Sequence, residues 1–157
     1  SWMGAAGLMQ LMPETAAAFG ADSILDPQQN LMAGMKYMKS LDKALAKEIS
    51  NTDERLKFVL AAYNVGLGHV WDARRLAKKY GRSDVIWKDN VEFFLLNKSN
   101  SEYYRDPVVK HGYCRGTEPV QYVEKVMSNY GHYLNLLPSD DPNSRLLARS
   151  TPPKSSR

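Results

Sequence analysis

Four stretches of this chain repeat their apolar residues every three to four positions, and none of strand length alternates them. That periodicity makes helices the building blocks and a β domain unlikely. Asp26-Pro27-Gln28-Gln29 reads as a capped helix start, with Asp26 as N-cap and Gln29 placed for a capping box. Leu31, Met35, Met38, Leu41 and Leu45 follow as one stripe, ending near Ile49, with the methionines read as core filler. Thr52 is expected to cap the next helix, with Leu56, Val59, Leu60 and Tyr63 inside and Gly66 and Gly68 as its stop. A helix from about His69 carries Val70, Ala73 and Ala77 and ends at Gly81. Trp87, Val91, Phe94 and Leu95 suggest one short helix, and Asn97 to Asn100 a turn. Tyr103-Tyr104 reads as a cleft wall or a packing corner. The last helix starts near Thr117 or Glu118, carries Val120, Val123, Met127, Tyr130, Leu134 and Leu137, and stops at Pro138. One all-α domain over residues 1–138 is expected, followed by a loose polar tail over 139–157.

Composition narrows the function classes. A formal charge of +4 is too small to argue for nucleic acid. Lys36, Lys39, Arg74, Arg75, Lys78 and Lys79 are scattered, as on solvated helix faces, and suit at most a mild attraction to an anionic surface. No apolar run approaches a membrane span. The single cysteine, Cys114, excludes an internal disulfide and a cysteine-based zinc site. His69, His111 and His132 show no metal spacing and read as surface or satisfied histidines.

Gly7-Leu8-Met9-Gln10-Leu11-Met12-Pro13 carries the most functional information. Proline is preorganised for a first helical turn, Glu14 sits where the helix dipole favours an anion, and Gly20 can close the helix. None of that explains an amide among Leu8, Met9, Leu11 and Met12. A buried amide needs partners, so Gln10 is either a strut or a ligand contact.

The run from Ser1 through Gly7-Leu8-Met9-Gln10-Leu11-Met12-Pro13-Glu14-Thr15-Ala16 resembles the central motif of the lytic transglycosylases of the soluble, goose-lysozyme-like type. Three further stretches fit the same pattern in order: Asp26-Pro27 through Asn30, Gly34 and Tyr37; Ala62-Tyr63-Asn64-Val65-Gly66 extended by Gly68-His69-Val70; and Arg115-Gly116-Thr117-Glu118-Pro119-Val120-Gln121-Tyr122-Val123. The resemblance runs to about Tyr133. The Cys114–Pro119 stretch is most similar to the membrane-bound F type, whose catalytic domain normally follows a periplasmic-binding-protein-like domain.

The resemblance implies a lysozyme-like helical fold and cleavage of the β-1,4 bond between N-acetylmuramic acid and N-acetylglucosamine in peptidoglycan, leaving 1,6-anhydro ends. It implies peptidoglycan strands as partner and no cofactor. It also implies a periplasmic, outer-membrane-associated location, with membrane contact only through an upstream lipid anchor. The family's catalytic acid is a glutamate upstream of the serine that matches Ser1. It is therefore not in this sequence, and the chain reads as an inactive piece of a longer exported protein. The remaining roles carry over by position. Ser1 matches a serine near the reacting sugar's N-acetyl group. Gln10 matches a glutamine lining the cleft, and Met12 a methionine packing on the glycan. Tyr63 and Asn64 match the opposite wall. Tyr122 matches a tyrosine whose hydroxyl points at the catalytic carboxyl, with Glu118 a supporting acid beside it. Met12 and Tyr63 also suit plain core positions, and Asn64 a helix-end position. A non-catalytic glycan-binding module, a hydrolytic goose-type lysozyme using Asp22 or Asp26, and a helical interaction domain remain as other readings. The last requires Gln10, Asn64 and Tyr122 to lie far apart.

Overall fold

The computed structural model describes residues 4–136. Ser1, Pro138 and the tail expected over 139–157 lie outside the described residues. The chain is all-α, with seven helices among the described residues. They are α1 (Pro13–Ala18), α2 (Pro27–Ala46), α3 (Thr52–Val65), α4 (Leu67–Lys79), α5 (Glu92–Leu96), α6 (Ser101–Tyr104) and α7 (Thr117–Leu136). A kinked turn, Trp87–Val91, leads into α5.

The central element is α3, which packs against α2, α4 and α7. Phe58, Val59, Leu60, Ala61 and Ala62 are all buried in succession. The expected single inner stripe is therefore too narrow, because a helix surrounded by neighbours is apolar all round. Phe58 and Leu45 are fully buried, each contributing about 1.5–3 kcal/mol of transfer free energy. Gly66, at φ 94°, ends α3, and α4 starts at once. Gly68 is thus inside α4 rather than a stop. Asn51, not Thr52, is the N-cap of α3: its side chain accepts from the Glu54 N–H at 2.9 Å.

Helix α2 departs from its expected stripe. Asp26 does cap it, accepting from the Gln29 N–H at 2.8 Å. The Gln29 side chain instead accepts from the N–H groups of Asp22 and Ser23, so the capping box does not close. Leu31, Met32 and Met35 are exposed, and the buried residues of this half are Asn30, Ala33 and Gly34. Of the two methionines in the expected stripe, Met35 is not core filler, whereas Met38 packs against the main core. Small side chains face inward because the chain's first loop packs there. The stripe reaches the main core at Met38, Leu41 and Leu45, and the helix stops at Ala46.

Two apolar cores result. The large one gathers α3, α4, α5 and α7 around Phe58, Leu76, Trp87 and Phe94. The small one joins Leu11, Ala16, Ala21 and Ala33, flanked by Met9, Phe19 and Ile24. Tyr37 and Tyr63 pack against both. Tyr103 is a packing corner, its ring edge-on to Phe93, Phe94 and Tyr80. Arg74 is not a solvated face residue: it is 4% exposed and pairs with Glu48 and Asp84.

Candidate functional site

The site is built on the first described loop. Ala6 and Leu11 exchange backbone hydrogen bonds at 2.9 and 3.0 Å, closing a minimal hairpin whose turn is Gly7–Gln10. Gly7 has φ 76° and Gln10 φ 49°, the left-handed conformation that glycine tolerates best. The Gln10 side-chain amide donates to the Gly7 carbonyl at 2.9 Å. Gln10 is exposed, so it is not the buried strut considered from sequence, and its side chain stands on the loop's surface.

Asn30, fully buried on α2, holds this hairpin. Its Oδ1 accepts from the Met9 N–H at 2.6 Å, and its Nδ2 donates to the carbonyls of Ala6 at 3.2 Å and Ile24 at 3.0 Å. A Cβ on Gly7 would overlap the Asn30 amide and lie 2.6 Å from the Ile24 oxygen. Gly34 leaves room for Met9, since a Cβ there would lie 2.8 Å from the Met9 side chain. The two glycines are therefore close-approach positions. Asn30 and Gly34 were visible in sequence as members of the second motif stretch, but with no role attached to either.

The opposite wall comes from α3. The Tyr63 hydroxyl donates to the Met9 carbonyl at 2.8 Å, a contact 54 positions apart in sequence. Its ring lies 5.4 Å from that of Tyr37, which lies 5.3 Å from Phe19. Burial, with Tyr122 and Tyr37 adding their own repulsion of a phenolate, pushes the Tyr63 phenol up to about 12. Tyr122 of α7 is half-buried, and burial raises its phenol as well. Both hydroxyls therefore stay protonated and able to donate at neutral pH.

The Tyr63 hydroxyl thus ties α3 to the loop beside Gln10, and Tyr122 lies near enough to Tyr63 to act on its phenol. Met12 is 40% exposed beside Gly4, so it is not core. Asn64 is exposed in the last turn of α3, next to Tyr63. Glu118 is exposed in the first turn of α7, four positions before Tyr122 and so on the same face. Ser1 is outside the described residues. The hollows of about 400 Å³ beside Trp71 and Arg74, and about 300 Å³ beside Ile49 and Val85, include none of these residues. Among the described residues no group of three His, Cys, Asp or Glu is placed to hold a metal.

This arrangement offers what a sugar chain needs: thioether and apolar faces for ring C–H groups, with amides and phenols for hydroxyl and acetamido groups. Residues 1–86, more than half the chain, match the transglycosylase SLT domain. The chain belongs to the SLT transglycosylase domain family. It is 42% identical over 123 residues to the membrane-bound lytic murein transglycosylase F of Maricaulis maris (strain MCS10), covering 78% of this chain and 26% of that protein. The protein of the same name from Shewanella frigidimarina (strain NCIMB 400) is 40% identical over 127 residues, or 81% of this chain and 26% of the relative. That of Pseudomonas fluorescens (strain Pf0-1) is 42% identical over 127 residues, or 81% and 25%. The chain spans about a quarter of the length of these relatives. Membership of the SLT family agrees with the lysozyme-like helical fold.

Proposed function

We propose that this domain forms the glycan cleft of a peptidoglycan lytic transglycosylase, acting on the bond between N-acetylmuramic acid and N-acetylglucosamine. The observation that carries the reading is the junction of three distant motifs, with the Tyr63 hydroxyl on the Met9 carbonyl and Tyr122 beside it. Gln10 and Met12 contact the glycan from the hairpin, Tyr63 and Asn64 from the facing wall. Ser1 is assigned the N-acetyl contact on the resemblance alone.

Glycoside cleavage commonly uses two carboxylates. The proposed reaction uses one acid twice. It protonates the glycosidic oxygen as the C1–O bond breaks, and the carboxylate then takes the proton of the C6 hydroxyl as that oxygen bonds to C1. The intramolecular attack gains from proximity and consumes no water. The proton donor is assigned, by the resemblance, to a glutamate preceding Ser1 in the encoded protein. Tyr122, with Glu118 as neighbour, serves as a hydrogen-bond donor to that carboxylate. The site of action is the cell envelope, in its periplasmic compartment. No helix among the described residues is long and apolar enough to cross a membrane.

The test is digestion of purified sacculi by the full-length encoded protein, with mass analysis of the products. Products lighter by one water than hydrolytic ones carry 1,6-anhydro ends and support the reading. Hydrolytic ends would make it a lysozyme. Sacculus binding without cleavage would make it a glycan-binding module.

A further inference from the structure

The structure holds a second polar cluster that the glycan site does not use. Asp72 on α4 and Lys98, just after α5, are both fully buried and paired at 2.6 Å. Lys98 Nζ also lies 2.7 Å from His69 Nδ1. The Asp72 carboxylate further accepts from Arg75, and from the backbone N–H groups of Lys110 and His111 at 2.8 Å each. Burial alone would push the Asp72 carboxyl up. The hydrogen bonds from Lys98, Lys110 and His111 outweigh it and hold the group well below the usual carboxylate range.

What this cluster grips is the connector running from Lys110 to Gly116. That connector joins the body of the fold to the first turn of α7. It is seated at three further points. Gly68 lies flat under His111, where a Cβ would come 2.5 Å from the imidazole ring. The Cys114 N–H donates to the Lys98 carbonyl at 3.4 Å. Gly116 lies against the Leu95 carbonyl so closely that no side chain fits. These contacts are to α4, to α5 and to Lys98 just after it, and none is to the hairpin. The connector thus fixes the approach to α7 from the α4 and α5 side, while α7 itself packs on α3 and α5. The same helix α4 follows directly on Tyr63 and Asn64 through Gly66.

We propose that Asp72, paired with Lys98, is the positioning residue that locks the 110–116 connector and so sets Tyr122 against Tyr63. This rests on the proposed function for its catalytic consequence, but not for its structural one. An ion pair with neither partner exposed is weak evidence of stabilisation by itself. Its geometry is explained by what it fastens: two backbone N–H groups of a connector that has no secondary structure to satisfy them.

The experiment compares wild type with Asp72→Asn and Lys98→Met in the full-length encoded protein, with Leu76→Ala as a control of general destabilisation in the same helix. Folding is checked by circular dichroism, then amide hydrogen exchange is followed by residue. The expected result for either folded lock variant is exchange at least tenfold faster across 110–122, with α2 amides moved less. Turnover of sacculi should fall at least tenfold, with KM shifted less than threefold. Leu76→Ala should lose stability yet keep both connector protection and turnover. Asp72→Asn is the more disruptive change. If it fails to fold, Lys98→Met, which keeps Arg75 and both backbone donors on Asp72, decides alone. Wild-type protection across 110–122 in a folded lock variant overturns the proposal, as does an equal loss in Leu76→Ala. If wild type does not cleave sacculi, the functional reading fails and the exchange comparison still decides the lock.

Discussion

Replacing Asn30 by Ala removes the clamp on the hairpin that carries Gln10 and Met12. The side chain is fully buried and makes three hydrogen bonds, at 2.6, 3.0 and 3.2 Å. Each contributes about 0.5–1.5 kcal/mol net, which sums to roughly 3 kcal/mol. The Met9 N–H and the Ile24 carbonyl would then lose their Asn30 partner, while the Ala6 carbonyl keeps its bond from Leu11. Water entering the vacated space offsets part of that added cost, so about 3 kcal/mol is the expected loss. For a domain of this size each 1 kcal/mol is worth roughly 2–4 °C, so Tm should fall by about 6–12 °C. Urea unfolding followed by circular dichroism measures the change, and m should stay constant. Asn30→Asp sharpens the test. It keeps an acceptor for Met9 but turns the donor toward Ala6 and Ile24 into an oxygen. At pH 7 it should be at least as damaging as Ala, and it should recover in part as acid protonates the new carboxyl into a donor. A loss below about 1 kcal/mol for Asn30→Ala, with m unchanged, would refute the claim that this amide holds the loop.

Other expectations follow from the same geometry. Tyr63→Phe deletes only the hydroxyl on the Met9 carbonyl and should cost about 1–2 kcal/mol in urea, while sacculus binding weakens more than tenfold; binding equal to wild type would remove Tyr63 from the site. Gly7→Ala should cost more than about 2 kcal/mol, because a Cβ meets Asn30 and Ile24 and the backbone is at φ 76°; a near-neutral melt would show that the hairpin can shift. His69 is held below its usual value by burial, then by the Lys98 ammonium and by His111, against the pull of Asp72. The folded protein therefore keeps it neutral where the unfolded chain takes up a proton. Its contribution is fully present above pH about 6.5 and is lost as pH falls toward the lowered folded value. Urea midpoints at pH 7.5 and 5.5 should differ less in His69→Gln than in wild type; an unchanged difference would contradict this assignment.

Much of the architecture followed from residue order alone. Helix periodicity, the Asp26 cap and the Gly66 break are local, since each depends on neighbours within about one turn. Those features placed α2, α3, α4 and α7 within a few residues. The motifs around Gln10, Tyr63 and Tyr122 were also recognisable, because their residue types and order survive in one dimension. The inner face of α2 was not. Leu31 and Met35 open a plausible apolar stripe, yet Asn30, Ala33 and Gly34 are the buried residues of that half. The reason is the hairpin from 24 positions upstream, which brings polar backbone to α2 and needs an amide and a missing side chain there, not bulk. Charge misled in the same way. Arg74, Asp72 and Lys98 look like ordinary surface residues in a list, and burial became tolerable only when tertiary contacts supplied Glu48, Asp84 and the connector's amides. Sequence by itself determined the helices and named the candidate residues of a glycan site. Only the tertiary structure decided which of them stand open to a ligand and which buried polar groups hold them there, because hydrogen-bond satisfaction in a protein interior depends on partners that are distant along the chain.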